Sequence, residues 1–215
     1  MSDASAPPVA QPPQPPFALR RARTHDVPGM QALVNAYAGQ RILLAKERVT
    51  LYEDIQEFRV AEDAAGVLIG CGALHVMWHD LAEVRTLAVD PAWRGKGVGK
   101  ALLESLIAQS RALGVRRLFC LTFETRFFGS YGFVPIEGTP VEPEALAELL
   151  QSRDEGVAEF LDLARVKPNT LGNTRMLLDL GEPADSGRGR RAALSRCRST
   201  SARPRSAGRS CTACR

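Results

Sequence analysis

The segment that most restricts how this chain can fold is the stretch from Glu83 to Leu103. It begins as an apolar, β-rich run, turns at Asp90-Pro91, passes through a loop with glycine at every second position, and continues into a helix-type pattern. Those glycines are Gly95, Gly97 and Gly99. Such a loop lets consecutive backbone N–H groups converge at the positive end of a helix dipole. The pattern predicts a cradle for a diphosphate, with three cations available: Arg94, Lys96 and Lys100.

Two common nucleotide-binding loops fit this stretch poorly. A Walker A loop needs a glycine five residues before its Gly-Lys pair and a Ser or Thr after it, whereas Gly99-Lys100 has Arg94 before it and Ala101 after it. The dinucleotide-binding fingerprint G-x-G-x-x-G needs its third glycine one residue later than it occurs here. A glycine loop that only tightens a strand–helix turn remains the structural alternative, and the three cations disfavour it.

Helix-type and strand-type patterns alternate between residues 17 and 180. The spacing of apolar residues predicts a helix that starts at Asp26 and further helices over residues 47–58, 99–113, about 126–131 and 141–156. Strand patterns cover residues 17–21, 59–62, 67–77, 83–89, 115–123, 133–136 and 174–180. Because several strands precede a single strand–loop–helix–strand unit, we expect a mixed sheet rather than a fully parallel one.

The ends of the chain differ in composition from this middle part. Residues 1–16 contain six prolines and are expected to form a disordered leader, and residues 181–215 are expected to form a disordered Arg/Ser-rich tail. Residues 17–180 would then be the single folded domain. The tail holds nine Arg against two acids, so the net charge of +4 belongs to the tail and the rest is mildly acidic. Nucleic acid is therefore not the expected partner of the domain.

Other sequence signals exclude several classes of protein. No apolar run approaches the ~20 residues that a membrane-spanning helix needs, and the N-terminus lacks a secretory signal, so a cytoplasmic enzyme is expected. Cys71 and Cys120 lie in apolar strand patterns and are predicted to be buried thiols. Cys211 and Cys214 form a C-x-x-C pair without a second pair or a His cluster, so neither a metal site nor a disulfide framework is predicted.

Two motifs in the middle part resemble those of the GNAT superfamily of N-acetyltransferases. R-G-x-G-x-G after L-A-V-D-P resembles the acetyl-CoA motif, and Glu124–Phe133 resembles the motif that follows it. The resemblance covers residues 17–180 and implies an α/β (α+β) fold, in which helices flank a central mixed and mostly antiparallel twisted sheet in one domain. It implies acetyl-CoA as co-substrate and no metal. The cofactor-binding residues it implies are Leu87, Ala88, Val89, Arg94, Gly95, Lys96, Gly97, Val98, Gly99, Lys100 and Phe128.

A narrower resemblance is to the acetyltransferase domain of N-acetylglutamate synthases, carried by residues 42–48, 69–75, 83–89, 118–122 and 173–178. It implies transfer of an acetyl group to the α-amino group of L-glutamate, with L-glutamine as a second candidate, at the first step of arginine biosynthesis. The long bacterial synthases carry an amino-acid-kinase-like domain before this one, whereas a Pro-rich leader stands here, so the chain resembles the short stand-alone form. The alternatives are acetylation of a protein N-terminus, a lysine or a xenobiotic amine, and a non-catalytic acyl-CoA-binding module.

The chemistry of acetyl transfer to an amine defines the roles to be filled. An α-ammonium group must lose a proton before it attacks, and Glu83, at the start of the motif strand, is the predicted base, acting through a water. In the superfamily the strand splays from its neighbour, which would expose the backbone N–H groups of Leu87 and Val89. Where many members use a Tyr as general acid this chain has Phe128, so the thiol of coenzyme A would leave as a thiolate.

A dicarboxylic amino acid needs cationic and polar groups that bind its carboxylates. By position in the resemblance, the predicted substrate-binding residues are Lys46, Arg48, Arg85, Asn173, Thr174 and Arg175. A solvated-face position competes with this role for Arg85, and His75 is either a core histidine or a ligand. The expected partner is a free amino acid, and homodimer formation stays open.

Overall fold

A computed structural model describes residues 15–39, 43, 45–161 and 173–181. The predicted leader and tail lie outside these residues, except for residues 15, 16 and 181. In the described chain the strands are β1 (Phe17–Arg21), β2 (Phe58–Asp63), β3 (Leu68–Val76), β4 (Leu81–Val89), β5 (Arg117–Thr122), β6 (Val134–Pro135) and β7 (Thr174–Asp179). The helices are α1 (Val27–Ala38), α2 (Arg48–Glu53), α3 (Val98–Ala112), α4 (Thr125–Gly129), α5 (Pro143–Leu149) and α6 (Glu155–Phe160).

Two of the predicted helices are shorter than their sequence patterns suggest. The prediction of one helix over 141–156 is wrong, because α5 and α6 are separate helices. The break has a local cause: the Ser152 hydroxyl accepts a hydrogen bond from the Asp154 amide, and Asp154 Oδ1 accepts one from the Val157 amide, so a new helix is capped here. The predicted helix over 47–58 ends at Glu53, and a 3₁₀ turn over Ile55–Glu57 follows.

Within the described residues the sheet has seven strands in the order β1-β2-β3-β4-β5-β7-β6. The pairing of β4 with β5 is parallel, and the other pairings of the described sheet are antiparallel. The expectation of a mixed, mostly antiparallel sheet flanked by helices is therefore confirmed.

Helices cover both faces of this sheet, because successive strand residues point to opposite sides. On one face Leu103 and Leu106 of α3 pack against Leu74 of β3 and Val84 of β4. On the other face, residues of α1 pack against Cys71 of β3 and its neighbours. Cys71 and Cys120 are buried, as predicted, and burial raises the pKa of the Cys71 thiol to about 12. Among the described residues, none of the helices combines the length and the hydrophobicity that a membrane span requires.

Strands β4 and β5 separate after a short paired region. Their parallel register runs from the Leu81–Arg117 pair to the Glu83–Phe119 pair. The pairing of β4 with β3 shifts register between Cys71 and Ala73, and Thr86, at the same point of β4, has a φ of 57°. Such a bulge bends a strand, and β4 then continues along β3 as far as Val89. The result is a wedge-shaped opening, called the β4–β5 wedge below, between residues 84–89 and 120–122.

Candidate functional site

A cavity of about 550 Å³ occupies the β4–β5 wedge. One wall is β4, from Glu83 to Leu87 together with Val89, and the opposite wall is the end of β5 and the residues after it, Leu121–Glu124. The loop before α3 and the first turn of that helix close one end. Tyr37, Lys46 and Asn173 reach the cavity from α1, from the segment before α2 and from the residue before β7.

The glycine loop is shaped to leave room beside its backbone. Gly95 and Gly97 have backbone φ values of 74° and 85°, which residues with a side chain rarely adopt. A Cβ added at either position would meet no atom within 4 Å. Gly97 caps α3, and the first intrahelical hydrogen bond runs from the Ala101 amide to the Gly97 carbonyl at 3.0 Å. The amides of residues 98–100 therefore have no intrahelical partners, and such amides are suited to donate to an anion such as a diphosphate.

Most of the predicted cofactor-binding residues line this cavity: Leu87, Val89, Arg94, Gly95, Gly97, Val98, Gly99, Lys100 and Phe128. Ala88 points away, since it is 2 % exposed and packs against the α1 side of the sheet. Lys96 is not among the lining residues, and its Nζ lies 4.7 Å from the ring centroid of Trp93. For Ala88 and Lys96 the cofactor role stays a prediction that their side-chain positions do not support.

Glu83 lies at the apex of the wedge, where the pairing of β4 with β5 ends. It is 4 % exposed, and its Oε2 has no hydrogen-bond partner among the described residues. Burial raises the pKa of Glu83 above its usual value, against the opposing charges of Arg85 and His75. A buried carboxylate that faces a cavity with a raised pKa is suited to accept a proton near neutral pH.

Arg85 also reaches the cavity, but its charge is already balanced. One terminal nitrogen, Nη1, donates to both carboxylate oxygens of Asp154 at 3.0 Å. The other, Nη2, donates to Glu57 at 3.0 Å and to Asp54 at 3.2 Å. Within the described chain only Nε of this guanidinium is buried without a partner. Arg85 therefore ties three segments together beside Glu83, and Nε is the atom it has left for a ligand.

His75 belongs to the same charged cluster. It is the cross-strand neighbour of Glu83, and its Nδ1 lies 2.7 Å from Glu57 Oε1. Burial lowers the pKa of His75, but the hydrogen bond to Glu57 and the charge of Asp154 outweigh it, so that the pKa is raised. The histidine is thus a half-buried member of the cluster and not a core residue.

The predicted substrate residues divide into two groups. Lys46, Arg85 and Asn173 line the cavity, and Asn173 Oδ1 is buried with no partner in the described chain. Arg48 is exposed on α2, where its Nε donates to Gln31 at 3.0 Å, and Arg175 Nη1 donates to the Phe160 carbonyl at 2.7 Å. Arg48, Thr174 and Arg175 are not among the lining residues, so their predicted roles lack support from their positions.

Sequence reasoning missed Tyr37 and Thr122 as residues of the site. Tyr37 is a buried residue of α1 and also lines the cavity. No local pattern distinguishes this tyrosine from a core residue. Among the described residues no group of three or more His, Cys, Asp or Glu could hold a metal ion.

Comparisons with known proteins point to one family. Residues 29–133 match the acetyltransferase (GNAT) family. The chain is 58% identical over 164 residues to an amino-acid acetyltransferase of Mycobacterium tuberculosis, a match that covers 75% of this chain and 94% of that protein. A crystal structure from the same organism, in complex with CoA and NLQ, superposes with a TM-score of 0.73 at 58% identity and covers 76% of this chain and 99% of that one.

A more distant structural neighbour is N-acetylglutamate synthase from Neisseria gonorrhoeae, solved with coenzyme A and N-acetyl-glutamate. It superposes with a TM-score of 0.61 at 27% identity, and the match covers 76% of this chain and 35% of that one. The similarity is thus to a part of that longer protein.

Replacement of Glu83 by Gln should stabilise the fold at neutral and alkaline pH. The pKa of Glu83 in the folded state is raised above its ordinary value of 4.5. Between these two pKa values the folded chain holds a proton that the unfolded chain releases, so the stability falls as the pH rises from 4.5 to the folded-state pKa. Gln is neutral at every pH. Thermal melts of Glu83→Gln should therefore show a higher Tm than the unmodified chain at pH 8, and the difference should shrink as pH falls towards 4.5.

The control for this measurement is Glu148→Gln, at an exposed position of α5, which should leave Tm nearly unchanged at each pH. A Glu83→Gln variant that melts below the unmodified chain at pH 8 would contradict the electrostatic description of Glu83.

Proposed function

The chain belongs to the acetyltransferase (GNAT) family, and on that premise we propose that it transfers the acetyl group of acetyl-CoA to the α-amino group of L-glutamate. L-glutamine is the second candidate acceptor, and the reaction would open arginine biosynthesis. The observation that carries the proposal is the β4–β5 wedge, because it joins a buried carboxylate at its apex to an anion-binding loop at its end. A cytoplasmic location and homodimer formation remain predictions.

The diphosphate of acetyl-CoA fits the amides of residues 98–100, with Arg94 and Lys100 as the cations that line the cavity. The rest of the coenzyme can extend along β4. The Asp90 amide donates to Ile69 of β3 at 2.8 Å, and backbone groups alternate in direction along a strand. The Val89 amide therefore points to the opposite side, into the wedge, where β5 is not its partner.

The activated acetyl group comes from acetyl-CoA, and the side chains of the wedge handle the proton. Glu83 accepts a proton from the substrate α-ammonium, directly or through a water, and the neutral amine nitrogen then bonds to the acetyl carbon as the carbon–sulfur bond breaks. The nitrogen loses its second proton to water or to the departing thiolate, which leaves the neutral amide. Phe128 has no proton to donate, so the sulfur leaves as a thiolate, which its thiol pKa of about 8.5 permits. Backbone amides at Leu87 and Val89 are the donors suited to the carbonyl oxygen.

The acceptor must bring its amine to Glu83 and its carboxylates to nearby donors. Lys46 lines the cavity with its Nζ 3.9 Å from Asp54, a contact long enough to be exchanged for a substrate carboxylate. Arg85 Nε adds a hydrogen-bond donor from a second side, and Asn173 Oδ1 adds an acceptor from a third. This set of donors and one acceptor supports a small amino acid with a polar side chain.

The direct test is turnover of acetyl-CoA with each of the twenty amino acids. L-Glutamate, followed by L-glutamine, should give the highest kcat/KM, and Glu83→Gln should lower it by about 10²–10⁴-fold because general-base catalysis is lost. Glu148→Gln serves as the control. Equal rates for all amino acids, or an active Glu83→Gln variant, would refute the proposal.

The substrate side of the cavity can be tested by two cations close in sequence. Lys46→Met should raise KM for the amino acid by about ten- to a hundredfold, since a hydrogen-bonded charge is lost, and should change KM for acetyl-CoA much less. Arg48→Met removes a cation that points to Gln31, so its effect should be within about twofold. Steady-state kinetics with each substrate varied in turn measures both, and a larger effect at Arg48 would reverse the assignment.

A further inference from the structure

Tyr37 connects α1 to the end of β4. Its ring is 7 % exposed and packs in the core between α1 and the sheet. Its hydroxyl nevertheless donates a hydrogen bond to the carbonyl oxygen of Val89, the last residue of β4. The only hydroxyl proton is therefore committed to this carbonyl, and the oxygen's remaining lone pairs can act only as acceptors.

Arg94 supplies the donors for those lone pairs. Its Nε and Nη2 lie 3.3 Å and 3.1 Å from the Tyr37 hydroxyl oxygen. Its guanidinium carbon also lies 5.3 Å from the centroid of the Tyr37 ring, within the range of a cation–π contact. An exposed arginine would otherwise sample many rotamers, so the hydroxyl and the ring together restrict where this guanidinium can lie.

We propose that Tyr37 is a positioning residue that holds Arg94 in place for the diphosphate of acetyl-CoA. The inference rests on the proposed binding of that diphosphate by the loop of residues 94–100. Because Tyr37 also binds the Val89 carbonyl, it fixes the guanidinium relative to β4, along which the rest of the coenzyme would extend. An arginine held in its bound position loses less conformational entropy when the ligand arrives.

The test removes the hydroxyl and keeps the ring. Tyr37→Phe should raise KM for acetyl-CoA by about three- to tenfold, as expected for loss of a hydrogen bond to an exposed charged group, with a smaller effect on kcat. With S-acetylpantetheine, which has no diphosphate, kcat/KM of Tyr37→Phe should stay close to that of the unmodified chain. Tyr52→Phe, at a tyrosine that is 43% exposed on α2, is the matched control, and thermal melts check that each variant is folded.

Arg94→Ala separates this inference from the proposed site. If Tyr37 acts through Arg94, Tyr37→Phe should add less than about twofold to KM in the Arg94→Ala background. An Arg94→Ala variant with an unchanged KM for acetyl-CoA would refute the proposed diphosphate site. Two results would refute the positioning role of Tyr37 and leave the proposed diphosphate site intact. One is a KM for acetyl-CoA that Arg94→Ala raises and Tyr37→Phe does not. The other is an equal effect of Tyr37→Phe on acetyl-CoA and S-acetylpantetheine.

Discussion

The separation of β4 from β5 is the constraint on which the rest of the site depends. Had the two strands stayed paired beyond Glu83 and Phe119, the backbone groups of residues 84–89 would be used in the sheet and no cavity would exist. The bend at Thr86 directs β4 along β3 instead, and a positive φ at a residue other than glycine costs about 1–2 kcal/mol. The bend produces a wedge in which β5 does not pair with the backbone amides of β4 beyond Glu83. The wedge has a buried carboxylate at its apex and a helix terminus at its end.

The charges around Glu83 explain how a carboxylate can lie beside an arginine and still have the raised pKa that suits its proposed role as a base. An unopposed arginine would stabilise the ionised form and lower the pKa of Glu83. Here the carboxylates of Asp54, Glu57 and Asp154 bind Arg85, so burial dominates and the pKa of Glu83 is raised. The same ion pairs join the segment before β2 to the segment before α6, so the cluster both holds Arg85 in the cavity wall and affects the protonation of Glu83.

The parts of the site that could be predicted from sequence are those with a local signal. The glycines at 95, 97 and 99 and the apolar spacing of α3 predicted the position of the proposed anion-binding loop, and the residues around Glu83 predicted the motif strand. Partner choice over long distances had no such signal. Arg85 binds Asp154, 69 residues away, and Tyr37 binds Val89, 52 residues away. The bulge in β4 occurs at a threonine, although a positive φ is more often found at glycine. Arg48 and Arg175 are cations, and their sequence positions do not reveal that they bond to groups outside the cavity.

A crystal structure of the chain grown with coenzyme A and N-acetyl-L-glutamate would show whether the coenzyme occupies the β4–β5 wedge. The diphosphate oxygens should accept hydrogen bonds from the amides of residues 98–100, the pantetheine arm should run along β4 inside the wedge, and the acetylated nitrogen should lie beside Glu83. Electron density for the coenzyme outside the wedge, or a closed sheet in which β4 and β5 pair beyond Glu83, would contradict it.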